Sequence, residues 1–518
     1  MIGAVAALSP SARRALLTIC TMTATIMQAL DTTIANVALP YMQGSLSASL
    51  DQVSWVLTSY IVAAAVMTAP VGWLADRFGR KKLFIVCVGG FTVASLFCAF
   101  AQNIGQIVTF RLMQGMCGAA LVPLSQSVML DAYPIEQRGQ AMGIWGVGVM
   151  LGPIMGPTLG GWLTQNYSWH WVFLVNIPVG IVTVLGLLVF MDETKRQAHL
   201  KFDWFGFLAL AAGIGGMQLM LDRGEQLGWF GSPEIVAWLI ISIVGFYYFF
   251  AHSLTTSEPF VRFAIFKDRN FLIGCFFMVI MGLMLFSSMA LSAPFIQNVL
   301  NYPIESAGYV LASRGLGTLV GMLLIGRLLR IFEARWLILI GLTLTAVTMY
   351  QMTGFTADTS GRTLIIIGLV QGFGMGFVFI PLSTVAFLTL PPRYRTDGTS
   401  MLTLVRNVAS SAGISVVIAN LTNMTTTFRS QLVEHISPFN DALQHPDVTR
   451  WMDIATDQGR ALAEQMVSLQ AVVMAYANDF MLLTVICALS IPFVFFIGST
   501  ASLRGGRVSV REAAPAME

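Results

Sequence analysis

The stretch Gly148-Val149-Met150-Leu151-Gly152-Pro153-Ile154-Met155-Gly156-Pro157-Thr158-Leu159-Gly160-Gly161 lies in an uncharged apolar run that extends from residue 141 to 163. Its glycines recur every four residues, which places them on one helix face and lets another backbone approach closely. Pro153 and Pro157 remove hydrogen bonds from the helix, so we expect a bend there. A smooth, bendable helix suits a moving seal, and tight packing alone is the simpler alternative.

The composition indicates a polytopic membrane protein. Of the 518 residues, 56% are hydrophobic and 11% are charged, whereas a soluble domain has about 25% charged residues. Segments of about 20 apolar residues are long enough to span a bilayer. We predict fourteen, at residues 15–37, 53–74, 82–101, 105–130, 139–162, 170–190, 203–221, 234–252, 271–294, 305–326, 335–354, 363–390, 398–422 and 474–498.

The basic residues predict the orientation. With a cytoplasmic N-terminus, strict alternation places 21 of the 29 Lys and Arg residues in cytoplasmic segments and five in outer segments. Both termini are therefore expected in the cytoplasm. Cysteines and histidines show no metal-ligand spacing, and no phosphate-binding loop is found, so we expect no cofactor, no metal and no ATP. Without a nucleophile–base constellation, an embedded enzyme or receptor is disfavoured.

Two charged residues inside the N-terminal spans form the strongest candidate site. Asp31 lies about 22 Å above the cytoplasmic end of its span, and Arg111 lies about 8 Å below the outer end of its span. In an apolar core of about 30 Å these depths coincide. An embedded acid is a functional-site hypothesis, and a purely structural ion pair is the alternative.

Arg314 and Arg406 also lie inside spans, each about 13 Å deep, where transporters bind their substrates. Asp31 is the one clear acid inside the spans, so these arginines have no acidic partner at their depth. An anionic or weakly acidic amphiphile would supply the missing charge, unless the arginines bond backbone carbonyls. Gln114 and Asn36, on the spans of Arg111 and Asp31, complete the candidate substrate cavity.

The chain contains an internal repeat. Gln114-Gly115 is followed by Pro123-Leu124-Ser125, and Gln371-Gly372 by Pro381-Leu382-Ser383. We predict six-helix halves at 1–200 and 263–500, two inserted spans in 201–262, an outer loop at 423–473 and a cytoplasmic tail at 501–518. In the second copy, Gly368 stands in the place of Arg111. A second smooth face, formed by Ser313, Gly317 and Gly321, is expected to pack on the glycine face of span 5.

The motifs resemble those of the major facilitator superfamily. The loop Gly72-Trp73-Leu74-Ala75-Asp76-Arg77-Phe78-Gly79-Arg80-Lys81-Lys82 resembles its general signature GxLaDrxGrkxxl, and Arg111 to Ala120 resembles RxxQGxgaa. Residues 148–163 resemble the exporters' antiporter motif. Leu30 to Pro40 resembles the LDxTIVNVALP signature of fourteen-span drug:proton antiporters of the EmrB/QacA type, and the chain is most similar to the EmrB branch.

This resemblance implies a transporter with two pseudo-symmetric six-helix halves and two extra spans in a bacterial inner membrane. It implies export of amphipathic toxic compounds in exchange for protons, with Asp31 and Arg111 in proton coupling. Members of the branch work with a periplasmic adaptor and an outer-membrane channel, and the 423–473 loop is the candidate docking segment, with a solvated loop as the alternative. No nucleic acid is implied. An uptake symporter, which residues 148–163 disfavour, and a dedicated metabolite exporter remain alternatives.

Overall fold

A computed structural model describes residues 9–134, 137–194, 196–197, 201–256, 259–329, 331–437, 440–450 and 452–498. The described residues form helices and loops, with no strand among them. The predicted tail 501–518 lies outside the described residues. The α-helices are α1 Pro10–Ser45, α2 Leu50–Thr68, α3 Val71–Phe78, α4 Arg80–Ala99, α5 Ile104–Gly118, α6 Leu121–Ala132, α7 Arg138–Asn166, α8 Trp171–Leu174, α9 Asn176–Phe190, α10 Trp204–Arg223, α11 Pro233–Thr255, α12 Arg269–Pro294, α13 Ile304–Leu328, α14 Ala334–Met352, α15 Gly361–Ala386, α16 Arg395–Val433, α17 Asp441–Gln444, α18 Pro446–Thr449 and α19 Asp457–Ser490.

The predicted all-helical membrane fold is confirmed. Within the described residues, 11 helices are long and apolar enough to cross a membrane, or 13 if each of two bent pairs is one span. The predicted span 335–354 corresponds to α14, a further helix of 19 residues. One bent pair is α7, which turns by 42° between Gly156 and Thr158. The bend predicted for this stretch is therefore present, although the side chains of Pro153 and Pro157 lie outside the described residues.

The glycine face of α7 packs on α1. A side chain at Gly152, Gly156 or Gly160 would collide with Ala29, Thr33 or Ile34 of α1, respectively. Thr33 also donates a hydrogen bond from Oγ1 to the carbonyl oxygen of Gly152 at 3.0 Å. The threonine hydroxyl gains a backbone acceptor only because α7 has no side chain there.

The predicted pairing of this face with α13 is therefore wrong. The other small residues, Gly317 and Gly321 of α13, pack against the backbone of Leu369 and Phe373 in α15. Helices α7 and α13 are nevertheless neighbours, because Gly143 of α7 faces Met322 and Ile154 of α7 faces Gly315. Each smooth face is used inside its own half, and the two halves meet along other residues of α7 and α13.

The inserted helices α10 and α11 pack on each other, with Gly213, Gly216 and Gly245 at their contact. Helix α10 also reaches both halves. Asp222 accepts a hydrogen bond from Thr58 of α2, and the carbonyl oxygen of Leu221 accepts one from Ser415 of α16 at 2.7 Å. The insertion thus lies against both halves, in agreement with its place in the sequence, and the exact domain boundaries stay a prediction.

Candidate functional site

Asp31 lies at the centre of a fully buried polar cluster in the N-terminal half. One carboxylate oxygen, Oδ2, accepts a hydrogen bond from Arg111 Nη1 at 2.6 Å. The other, Oδ1, accepts from Gln114 Nε2 at 2.8 Å and from Asn176 Nδ2 at 2.9 Å. The coincidence in depth predicted for Asp31 and Arg111 is therefore observed as direct contact.

The guanidinium of Arg111 is held from three further directions. Its Nε donates to the carbonyl oxygen of Val56 at 3.1 Å, and Nη1 also donates to Gln114 Oε1 at 2.9 Å. The ring of Tyr60 lies under the guanidinium, with 4.2 Å between Cζ and the ring centroid. Such a cation–π contact is stronger where water is excluded. The arrangement fixes the charge of Arg111 opposite Asp31.

The sequence analysis missed Asn176 and Ser95. Asn176 is buried and donates from Nδ2 to Ser95 Oγ at 3.0 Å as well as to Asp31. The available signal was an amide in the middle of an otherwise apolar run, at the start of α9. Because α9 lies more than 140 residues after Asp31, the sequence alone did not connect the two.

The partners of Asp31 match the needs of a buried carboxylate. Asp31 as a carboxylate satisfies Arg111 and accepts two neutral amides, which is the paired and hydrogen-bonded state that burial of a charge requires. Adding a proton would cancel the negative charge and leave Arg111 without a counter-ion. The cluster is therefore complete only while Asp31 carries its negative charge.

The other residues of the predicted substrate cavity do not join this cluster, apart from Gln114. Asn36 is exposed and donates to the carbonyl oxygen of Thr32 in its own helix. Arg314 is 7% exposed and lies in the C-terminal half, on α13. Arg406 of α16 is half-buried, and its Nη2 lies 3.4 Å from Asn407 Oδ1.

The prediction that Asp31 is the one clear acid inside the spans is wrong. Asp479 of α19 is fully buried and accepts a hydrogen bond from Asn420 Nδ2 at 2.6 Å. Asp479 lies near the start of the predicted span 474–498, whereas α19 begins 22 residues before it, at Asp457. A residue near the predicted boundary is therefore enclosed by the packing of α19 against α16.

Ion pairs join the two halves at the end of the bundle that carries residues 72–82, here termed the motif end. Arg262 bonds Asp76 at 2.9 Å and Asp397 at 3.4 Å. Asp131 pairs with both Arg80 and Arg395.

The two glycines of the signature at residues 72–82 have structural roles at the motif end. A side chain at Gly72 would collide with Asp397, so α3 can meet the start of α16 only with glycine at this position. Gly79 has a φ of 91°, in the region that favours glycine, where α3 ends and α4 begins. Arg77, in the last turn of α3, is half-buried.

Comparisons with known proteins show which family this chain belongs to. The family model of the Major Facilitator Superfamily matches residues 21–414. The multidrug export protein EmrB of Escherichia coli K12 is 35% identical over 435 residues, which are 84% of this chain and 85% of that protein. The fatty acid resistance protein FarB of Neisseria gonorrhoeae is 35% identical over 426 residues, 81% of this chain and 83% of that protein.

Solved structures show the same fold. The proton:xylose symporter XylE matches with a TM-score of 0.60 at 13% identity, over 95% of this chain and 97% of that chain. At this identity the likeness concerns the fold alone. The family match and these relatives show that the chain belongs to the Major Facilitator Superfamily and is a multi-pass inner-membrane transporter related to the EmrB branch.

Proposed function

We propose that this transporter exports amphipathic toxic compounds in exchange for protons. The observation that carries the proposal is the buried carboxylate of Asp31, held by Arg111, Gln114 and Asn176. The names of two relatives, a multidrug export protein and a fatty acid resistance protein, support the substrate class.

Coupling follows from the position of the acid beside α7. The contacts of Gly152 and Gly156 with α1 lie within one turn of Asp31 along that helix, and α7 also contacts α13 of the other half. A change in the charge of Asp31 that moves α1 therefore reaches the contact between the halves. If protonation of Asp31 disfavours the substrate-loaded state, proton and substrate exclude each other, and this linkage is reciprocal.

We place the motif end, and both termini, on the cytoplasmic side. The split of 21 basic residues to five supports this orientation. The ion pairs of Asp76, Asp131 and Asp397 then close the cytoplasmic side of the transporter.

Replacing Asp31 with Asn tests proton coupling. Asn keeps the shape but cannot be ionised, so we expect loss of pH-gradient-driven transport in proteoliposomes, with folded protein still present in the membrane. Asp457→Asn is the control, because its carboxylate is 98% exposed. Full gradient-driven transport by Asp31→Asn would contradict the proposal.

The direction of proton flow separates the alternatives. Substrate leaving loaded proteoliposomes draws protons in through an exchanger, whereas a symporter sends both out together. A dedicated metabolite exporter would show the same exchange with protons, but with only one compound of a panel of unrelated compounds. Export of several unrelated amphiphiles would favour a multidrug exporter over a dedicated metabolite exporter.

We also propose a preference for anionic or weakly acidic amphiphiles. Arg406 is half-buried, and its Nε has no hydrogen-bond partner among the described residues. A lipophilic cation near this guanidinium would be repelled, whereas a carboxylate would be attracted. Binding of a fatty acid and of a quaternary ammonium compound to purified protein tests this. Tighter binding of the cation, unchanged in Arg406→Ala, would contradict it.

The proposed partners are a periplasmic adaptor and, through it, an outer-membrane channel. Helices α16 and α19 continue past the predicted spans and form a hairpin around residues 423–473, here termed the outer hairpin. Arg429 of α16 pairs with Glu464 of α19 within it. A paired helical hairpin offers an adaptor an ordered surface rather than a solvated loop.

A further inference from the structure

A small cavity lies inside the C-terminal half, next to Arg314. Its wall comes from five helices or their immediate extensions, and includes Ser292, Phe295, Val310, Leu364, Gly368 and Phe480. The space within it is enough for a particle of about the size of a water molecule. Except for the arginine and Ser292, these side chains are apolar.

The charge of Arg314 is not neutralised by the residues around it. Nη1 and Nη2 donate to Ser288 and Ser292, each at 3.0 Å. Both hydroxyls give their own protons to backbone carbonyls, of Leu285 and Ser288, so they act on the arginine as neutral acceptors. Nε has no partner among the described residues. A buried guanidinium in this state lacks the counter-charge that burial normally requires.

Comparison with the N-terminal half shows that Arg314 lacks an acidic partner. There, an acid on the first helix, Asp31, neutralises Arg111. In the second half, the first helix α12 offers serines to the arginine, and Gly368 stands in the place of Arg111. A Cβ at this position would lie 2.6 Å from Ser313 Oγ, so a side chain at position 368 would collide with Ser313.

Asp479, adjacent to the cavity residue Phe480, does not supply the counter-charge. Its carboxylate accepts from Asn420, and Arg314 forms no ion pair with any described residue. We propose that the cavity binds one monovalent anion, a chloride ion or a carboxylate group, as the counter-ion of Arg314. The unused N–H groups of the guanidinium supply donors, and phenyl-ring edges carry partial positive charge. The size favours a small ion.

Anion-dependent stability tests the proposal on the purified full-length chain. Thermal unfolding is measured in sodium chloride, acetate or decanoate, each against sodium gluconate at equal ionic strength, because the hydroxylated chain of gluconate does not suit a cavity lined by apolar side chains. A ligand that binds only the folded state raises the unfolding midpoint in a saturable way. We expect this rise with chloride and acetate. A saturable rise with decanoate alone would support the site and assign it to the carboxylate of an amphiphile.

Three variants locate the effect. Arg314→Met should lose the anion response, and Ser292→Asp should lose it while remaining folded, because the new carboxylate pairs with the guanidinium. Arg327→Met, which removes an exposed arginine of the same helix, should keep it. The proposal is overturned if wild type shows no saturable response, or if Ser292→Asp responds as wild type does. The measurement needs no transport, so it is independent of whether Asp31 couples protons.

Discussion

At the scale of single residues, the arrangement around Asp31 explains how a carboxylate can stay charged in an apolar bundle. One cation and two amides share its two oxygens. Hydrogen bonds to a charged group contribute about 1.5–3 kcal/mol each. Each of the three partners therefore stabilises the ionised form of Asp31.

Asn176 gives the first prediction. Asn176→Leu removes one donor to the carboxylate and so favours the protonated acid. Substrate binding should then release a different amount of proton from the variant than from wild type. The measurement is proton release from purified protein on substrate addition, across a pH series.

Asn166→Leu is the matched control for this prediction. The amide of Asn166 is exposed and donates only within its own helix, to the carbonyl oxygen of Trp162. Its pH series should coincide with that of wild type. A series for Asn176→Leu that also coincides with wild type would show that this amide does not act on Asp31.

At the scale of helices, the contact between α7 and α1 depends on the absence of side chains. Gly152→Ala would place a methyl group against the backbone of Ala29 and force the helices apart. Overpacking of this kind costs about 1–3 kcal/mol. We expect a lower unfolding midpoint and reduced transport, measured by thermal unfolding and in proteoliposomes.

Gly161 of the same helix provides the control, since a Cβ there would meet no atom within 4 Å. Gly161→Ala should behave as wild type in both assays. If the two alanine variants were indistinguishable, close approach of α7 to α1 would not matter for stability or transport.

At the scale of the whole molecule, the two ends of the helix bundle have different structures. The motif end closes the halves with ion pairs around Arg262 and Asp131. The opposite end extends into the outer hairpin. Replacing residues 423–473 with a short Gly/Ser linker should leave transport in proteoliposomes intact, because Asp31 and α7 are untouched, and should remove resistance in cells.

A double substitution within the outer hairpin is a milder change than its replacement and tests whether the hairpin matters for folding. Arg429→Ala with Glu464→Ala removes a half-exposed ion pair of the hairpin, which should cost about 1 kcal/mol or less. Proteoliposome transport should therefore be unchanged. Cellular resistance that survives the full replacement of the outer hairpin would exclude it as the docking segment.

The sequence by itself determined the membrane fold class and the Asp31–Arg111 pair. Apolar run lengths follow from bilayer thickness, and the depth of a residue follows from the rise of a helix, so both are local properties of the chain. The bend of α7 was predictable for the same reason, from its prolines. These features need no knowledge of which helices are neighbours.

Only the tertiary structure decided which faces meet. Glycine spacing shows that α7 has a smooth face, but α1 and α13 were both possible partners, and the side chain of Thr33 favours α1. In the same way, Asn176 joined the site and Asp479 became buried through packing between helices distant in the chain. Burial and partnership depend on neighbours, and a single sequence without its fold does not specify them.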